Sequence, residues 1–220
     1  MLLDIVEKMT TISGEAPIIG HPVFLVRFSR CNLDCRFCDT PYRDEVNERL
    51  SVDRLADEIR EVTSAHPGMC VLLTGGEPLL GERQQMLNDL IGRLPDLSVY
   101  IETNGTILLP DSPPENAHYV VDWKPPTAHA DQPFREVNLR RIRPDRDTIK
   151  LVLAESDLDW AAERIAHIRS INPDLPIYLS AQWHALPLDR LAAFITENRL
   201  PVRMSVQLHK VIWGPDKRGV

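Results

Sequence analysis

Short apolar, strand-like runs alternate with longer amphipathic segments along most of this 220-residue chain. Strand, helix, strand in this order predicts a parallel sheet. The run MCVLLT at 69–74 shows no polar alternation, as expected for a parallel strand that is covered on both faces. Predicted strands cover 23–28, 69–74, 98–103, 117–123, 148–153, 177–182 and 203–208, and predicted helices cover 51–65, 82–94, 188–198 and a stretch that starts at Ser156.

The alternation breaks in the middle of the chain, where the strand at 117–123 is reached without a clear helix. The polar segment 124–147 contains prolines and predicts a long loop, which in a compact domain is often functional. Six or seven strands with at least one helix missing favour an open, partial (β/α) TIM-like barrel of the α/β class over a closed eightfold barrel. We expect residues 1–220 to form a single domain.

The composition of the chain argues against nucleic acid and membranes as binding partners. The formal net charge of −7 argues against a large nonspecific nucleic-acid surface, and the basic stretch 135–146 is expected to be a solvated connection. No apolar run is long enough to cross a membrane, and the opening MLLDIVEKMTTISGEAP lacks the basic region of a signal peptide. We therefore expect a cytoplasmic protein with neither nucleic acid nor membrane as a partner.

Cys70, in an apolar run, is expected to be a buried core thiol.

Polar or glycine-bearing turns follow strand after strand in this pattern. Arg27 lies near the end of the first predicted strand, and TGGEP (74–78) and ETNGT (102–106) follow the next two. DWKPP (122–126) and QLHK (207–210) end later strands. Because ligands bind at the carboxyl ends of parallel strands, we expect these residues to converge on one rim that carries an active site.

Three of the four cysteines crowd into one short loop, at Cys31, Cys35 and Cys38. In a reducing compartment such clusters bind metal or do redox chemistry more often than they form disulfides. A structural zinc site needs four ligands, and neither His21 nor His66 has ligand-like spacing. An iron–sulfur cubane held by three cysteines leaves one iron open to a non-protein ligand. A zinc-stabilised loop with a distant fourth ligand stays open as the alternative.

The motif CxxxCxxC, with Phe37 before its third cysteine and a strand before its first, resembles the radical S-adenosylmethionine (SAM) superfamily. The TGGEP turn after the next strand resembles the superfamily's GGEP turn, which holds the amino group of SAM. The resemblance implies a [4Fe–4S] cluster whose open iron is chelated by SAM. One electron then cleaves SAM to a 5′-deoxyadenosyl radical, which abstracts a hydrogen atom from the substrate.

Several further segments resemble the 7-carboxy-7-deazaguanine synthase family within that superfamily. They are TISGEAPIIGHPVFLVRF, CNLDCRFCDT, TGGEP, ETNGT, DWKPP, TIKLVL and VQLHKVIWGPDKRGV, which together span nearly the whole chain. The resemblance implies a small homodimeric enzyme of queuosine-type nucleoside synthesis that depends on SAM and Mg²⁺. Its reaction is the ring contraction of 6-carboxy-5,6,7,8-tetrahydropterin to 7-carboxy-7-deazaguanine with loss of ammonia. An electron donor such as flavodoxin or ferredoxin is implied as well.

The resemblance also implies roles for individual residues. Cys31, Cys35 and Cys38 would ligate the cluster, and the Thr40 hydroxyl would bind Mg²⁺. Arg27 would pair with a substrate carboxylate. The other implied substrate contacts are Ile12, Ser13, Gly14, Glu15, Thr74 and Val220. The implied SAM contacts are Phe37, Asp39, Gly76, Glu77, Asp122, Trp123, Lys124, Ser180 and Gln182.

The chain departs from the family pattern at three places. Ser13 replaces a glutamine and Ala16 a glycine, and Asp122-Trp123 stands where the family has Ser-Pro. The shorter Ser13 loses an amide's donor and acceptor for a pterin edge, so a water, a neighbouring side chain or a slightly different substrate must compensate. Two rival functions stay open: another small radical SAM enzyme, such as a glycyl-radical-enzyme activase, and a structural zinc or iron–sulfur module.

Overall fold

A computed structural model describes all residues 1–220, and nine strands make up its single sheet. The strands are β1 (Leu3–Ile12), β2 (Pro22–Phe28), β3 (Glu48–Leu50), β4 (Cys70–Gly75), β5 (Val99–Thr103), β6 (Ala117–Asp122), β7 (Thr148–Leu153), β8 (Ile177–Ala181) and β9 (Arg203–Ser205). Their order across the sheet is β3-β1-β2-β4-β5-β6-β7-β8-β9.

The sheet is parallel from β2 to β9 and does not close on itself. The prediction of an open α/β barrel is therefore confirmed. The remaining two strands are antiparallel additions that the sequence patterns did not predict. β1 runs back along β2, with Ile12 opposite Pro22, and β3 pairs with the far side of β1.

Six helices connect or follow these strands. They are α1 (Val52–Ser64), α2 (Arg83–Gly92), α3 (Asn138–Arg141), α4 (Leu158–Ile171), α5 (Leu188–Glu197) and α6 (Leu208–Trp213). Ser51 caps α1, accepting a hydrogen bond from the backbone N–H of Arg54, as its position before the apolar pattern predicts. The inward residues of α2 and α4 join the sheet in one core, and no helix connects β5 to β6, as expected.

The predicted loop 124–147 contains a 3₁₀ turn at Pro126–Ala128 and the four-residue α3. Its basic stretch is not a purely solvated connection, contrary to expectation. Arg143 forms an ion pair with the buried Asp147 at 2.8 Å and donates to the carbonyl of Ala117. The Asp147 carboxylate in turn accepts from the backbone N–H of Tyr119. These bonds fasten the loop to the start of β6.

Two further predictions need correction. The strand predicted at 203–208 ends at Ser205, and the chain turns into α6 three residues later. Cys70, expected in the buried core, is only partly buried; it packs beside a small second cluster around Leu25 and Leu72. None of the helices combines the length and the apolar character needed to cross a bilayer.

Candidate active site

One cleft opens at the carboxyl ends of the parallel strands, where the polar turns were expected to converge. Its walls include most of the residues predicted for the site: Ile12, Ser13, Gly14, Glu15, Arg27, Cys31, Cys35, Phe37, Cys38, Asp39, Thr74, Gly76, Asp122, Lys124, Gln182 and Val220. Four predicted residues do not line it, namely Thr40, Glu77, Trp123 and Ser180. The predicted site is thus brought together from segments up to 200 residues apart in sequence.

The cysteine loop is packed directly against the Gly75-Gly76 turn. The N–H of Gly76 donates to the carbonyl of Phe28 at 2.9 Å, and the N–H of Glu77 donates to that of Arg30 at 2.9 Å. A Cβ on Gly76 would overlap the Arg30 carbonyl, so only glycine permits this approach. The two turns therefore form one rigid unit at the ends of β2 and β4.

Cys31, Cys35 and Cys38 are free, partly buried and face the same cleft. Burial raises the pKa of the Cys35 thiol to about 11, so a bound metal's charge is needed to hold it as a thiolate. The side-chain amide of Asn104 lies 3.8 Å from the sulfur of Cys31. No group of three His, Cys, Asp or Glu side chains converges on a single ion. A cubane does not require this convergence, because each cysteine binds a different iron.

Buried polar atoms without partners mark the side of the cleft near β6 and β8. Oδ1 of Asp122, Oε1 of Gln182 and Oγ of Ser180 make no hydrogen bond within the chain. Buried polar groups are almost always paired, so the atoms of Asp122 and Gln182, which line the cleft, fit a polar ligand such as SAM. Beside them, the Nζ of Lys124 donates to Oδ2 of Asp122 at 2.8 Å.

Two predicted SAM contacts have side chains that are engaged elsewhere. The carboxylate of Glu77 is fully buried and accepts from the N–H groups of Leu79 and Asn104 and from the hydroxyl of Thr103. It therefore braces the β4 turn against the end of β5 and does not line the cleft. The Trp123 ring stacks on Phe134 in the core, with centroids 4.0 Å apart, and is turned away from the cleft.

Arg27 is held by a network on the opposite side of the cleft. Its Nε donates to Oε1 of Glu7 at 2.6 Å, and its Nη1 donates to the hydroxyl of Thr40 at 3.0 Å. Thr40 donates in turn to Oδ1 of Asp39 at 3.1 Å. Burial alone would lower the pKa of Arg27 and raise that of Asp39; their attraction reverses both shifts and keeps both groups charged.

The Thr40 hydroxyl is buried behind the cleft wall, whereas Asp39 is at its surface. Together they offer the hard oxygen atoms that Mg²⁺ prefers. A metal bound here would share the Thr40 oxygen with the guanidinium of Arg27. The residues present thus fit Mg²⁺, with Asp39 as the more accessible of the two.

Lys150 lies at the floor of the cleft with a side chain only 6% exposed. It forms an ion pair with Glu15 and lies 3.9 Å from Glu102 and 3.7 Å from Asp122. Burial would raise the pKa of Glu15, but the charge of Lys150 and two hydrogen bonds lower it to about 2. Burial also raises the pKa of Glu102, which Lys150 only partly offsets. The pKa of Lys150 lies well above its ordinary value, because the three carboxylates outweigh burial.

The loop that contains Ser13 packs against the start of α6. The N–H of Leu208 donates to the carbonyl of Gly14 at 2.8 Å, and Nε2 of Gln207 donates to Oε1 of Glu15 at 2.9 Å. A Cβ on Gly14 would overlap the ring of His209. The Ser13 hydroxyl donates to the carbonyl of Glu15 at 3.2 Å, so this shorter residue stabilises its own turn.

Sequence reasoning missed several cleft residues. Glu7, Thr11, Tyr42 and Lys150 line the cleft but were not predicted for it. Glu7 and Thr11 belong to the unpredicted β1. A signal for Lys150 was available, because it is the one charged residue inside the apolar run TIKLVL. The Thr11 hydroxyl is buried without a partner and so remains free for a ligand.

Comparison with known proteins assigns this geometry to a family. Residues 25–154 match the model of the radical SAM superfamily. The 7-carboxy-7-deazaguanine synthase of Chlorobaculum tepidum is 36% identical over 222 residues, covering 99% of this chain and 97% of that protein. This chain belongs to the 7-carboxy-7-deazaguanine synthase family.

Other members of the family match over a similar length. The 7-carboxy-7-deazaguanine synthase of Clostridium acetobutylicum is 31% identical over 220 residues, covering 98% of each chain. The crystal structure of QueE from Escherichia coli superposes with a TM-score of 0.72, at 23% sequence identity, over 94% of this chain and 95% of that one. That structure shows the same fold. Radical SAM chemistry in this family uses a [4Fe–4S] cluster, SAM and Mg²⁺.

Proposed function

We propose that this enzyme converts 6-carboxy-5,6,7,8-tetrahydropterin to 7-carboxy-7-deazaguanine and ammonia. The near full-length relationship to synthases of that name supports this reaction. The geometric observation that carries it is the position of Arg27 and Asp39 in the same cleft as the three cysteines. That arrangement places a carboxylate-binding cation and hard oxygen atoms where a radical is generated.

The cluster and SAM, when bound, supply the 5′-deoxyadenosyl radical that abstracts and later returns a hydrogen atom. The chain's own residues position the reactants. Cys31, Cys35 and Cys38 hold the cluster, and the Gly75-Gly76 turn, whose backbone approaches closely, holds SAM from the β4 side. The unpartnered atoms of Asp122 and Gln182 accept hydrogen bonds from SAM.

Arg27 binds the pterin carboxylate on the other side of the cleft. Glu7 occupies its Nε, and Thr40 occupies Nη1, so Nη2 remains free for the substrate. Asp39 and Thr40 would hold Mg²⁺, which would supply positive charge beside the pterin carboxylate. Glu15, kept ionised by Lys150, faces the amino groups of the pterin, which are donors that a carboxylate can accept from.

The proposed reaction also requires an electron donor and a suitable compartment. The reaction needs a one-electron reductant, and we propose a flavodoxin or ferredoxin in that role. We also propose that the enzyme is a homodimer in the cytoplasm, where a reducing environment keeps its four cysteines free.

A product assay tests the proposed function. Protein reconstituted anaerobically with iron and sulfide is incubated with SAM, a reductant, Mg²⁺ and 6-carboxytetrahydropterin, and the deazaguanine is sought by mass. We expect that product in the complete reaction and none with Cys35→Ala, which cannot hold the cluster. Formation of 5′-deoxyadenosine without deazaguanine would show that the substrate is another molecule. Activation of a partner protein, without Mg²⁺ dependence, would favour a glycyl-radical-enzyme activase instead.

A further inference from the structure

The segment that follows α6, residues 214–220, lies along the mouth of the cleft. Pro215, Lys217, Gly219 and Val220 all contribute to the cleft wall, whereas Arg218 points away from it. No backbone hydrogen bond joins residues 215–220 to any other part of the chain. Whatever holds this segment over the cleft must therefore be a side chain.

Arg218 makes the only side-chain hydrogen bonds of this segment. Its Nη1 and Nη2 donate to the two carboxylate oxygens of Glu45 at 3.2 and 2.5 Å, in a fork-like pair. Its guanidinium carbon lies 3.8 Å above the centre of the Tyr42 ring, within the range of a cation–π contact. Both partners belong to the loop that follows the cysteines, and Tyr42 also lines the cleft.

The contact with Tyr42 continues into the proposed substrate site. The Tyr42 hydroxyl donates to Oε1 of Glu7 at 3.2 Å, and the same oxygen accepts from Nε of Arg27. The position of Arg218 is thus connected, through one ring and one carboxylate, to the arginine that faces the cleft.

We propose that Arg218 is a positioning residue that latches the segment 214–220 across the cleft and places Val220 against the bound substrate. This role rests on the proposed function only for the identity of the substrate. The ion pair is nearly half exposed on both sides, at 42% and 45%, so it can break and re-form as substrate enters and product leaves. The latch closes the cleft without any rearrangement of the sheet.

Cleavage by a lysine-specific endoprotease tests the latch without substrate. Lys217 is exposed, and cutting after it releases the fragment that begins at Arg218, which intact mass detects. Glu45→Gln has the same cleavage site as the wild type, and Arg218→Glu has the same site as the double variant Arg218→Glu/Glu45→Arg. We expect about fivefold faster cleavage in Glu45→Gln than in the wild type. The double variant should be cut more slowly than Arg218→Glu by a similar factor, because the reversed pair restores the latch.

Steady-state kinetics test whether the latch serves the substrate. We expect Arg218→Glu to raise KM for 6-carboxytetrahydropterin about fivefold with a smaller change in kcat, and the double variant to recover most of the loss. The matched control is Arg190→Glu, which breaks an equally exposed pair with Glu155 away from the cleft and should leave KM unchanged. Equal cleavage rates within both matched pairs, or a KM that Arg218→Glu does not change, would overturn the latch. A wild type that makes no deazaguanine but shows the cleavage differences would refute the proposed substrate and leave the latch standing.

Discussion

Replacing Lys150 by methionine should destabilise the protein more than any exposed substitution. The change keeps the length of the side chain but removes the one cation that faces Glu15, Glu102 and Asp122. At an effective dielectric constant of about 20, the attraction across 3.7–3.9 Å is about 4 kcal/mol per pair before desolvation is subtracted. Since breaking a buried ion pair costs about 3–5 kcal/mol, we expect the free energy of unfolding to fall by that amount.

The loss should depend on pH. In the wild type the pKa of Glu15 is lowered to about 2, so its stabilising contribution is complete above its ordinary pKa and is lost as pH falls toward 2. Without Lys150, burial raises the pKa values of Glu15 and Glu102, and the folded state then retains protons that the unfolded state releases. Stability of the variant therefore falls as pH rises through those raised values, and the deficit is larger at pH 8 than at pH 5.

Urea unfolding, followed by circular dichroism at both pH values, measures this deficit. Lys217→Met, at an exposed lysine, is the matched control and should stay within about 0.5 kcal/mol of the wild type. A deficit below about 1 kcal/mol at pH 8 would refute the reasoning. An equal deficit at pH 5 and pH 8 would show that Glu15 and Glu102 do not respond to the missing charge.

Four other substitutions probe the site, and Cys70→Ala serves as the control for the first. Cys35→Ala should abolish iron binding after reconstitution, whereas Cys70→Ala should retain about four irons per chain by colorimetric assay. Thr40→Val should leave the iron content intact but raise the Mg²⁺ concentration needed for half-maximal turnover about tenfold; loss of the cluster would contradict the role given to this hydroxyl. Gly76→Ala should lower the free energy of unfolding by about 1–3 kcal/mol, because its Cβ overlaps the Arg30 carbonyl. Glu7→Gln should raise KM for the pterin about tenfold, since the Nε of Arg27 loses the carboxylate to which it donates; an unchanged KM would argue against that link.

The parallel strands were predictable because each is a short apolar run. Such a run can be recognised as a buried strand without knowing which strands lie next to it. β1 was not, since its stretch LDIVEKMTTI carries Glu7 and Thr11 on the cleft wall and Lys8 in ion pairs with Glu48 and Glu58. Polar residues at these positions interrupt the apolar alternation by which a strand is recognised in a sequence. The end of β9 was misplaced for a similar reason: Gln207 turns toward Glu15, a residue 192 positions away, and the strand stops before it.

The same distinction between local patterns and long-range contacts applies to the candidate site. The cysteines and the Gly75-Gly76 turn act through local spacing, which a sequence displays directly. Glu77 shows the limit of that approach, because a motif glutamate next to glycines predicted to bind SAM proves to be a buried brace for Thr103 and Asn104. The pairing of the latch residues, Arg218 and Glu45, could not be predicted for a different reason. Arg218 and Glu45 are ordinary surface charges until the fold brings together positions 173 residues apart.

The two walls of the cleft are built in different ways, and this has a consequence for redesign. Backbone hydrogen bonds from Gly76 and Glu77 fasten the cysteine side, where a Cβ on Gly75 or Gly76 would meet main-chain atoms. On the side of Ser13 and α6, one main-chain bond from Leu208 to Gly14 is joined by the side-chain bond between Gln207 and Glu15. A mutant library that seeks new substrates would therefore vary positions 11–15 and 206–210 and keep the cysteine side of the cleft, where the radical is generated, unchanged.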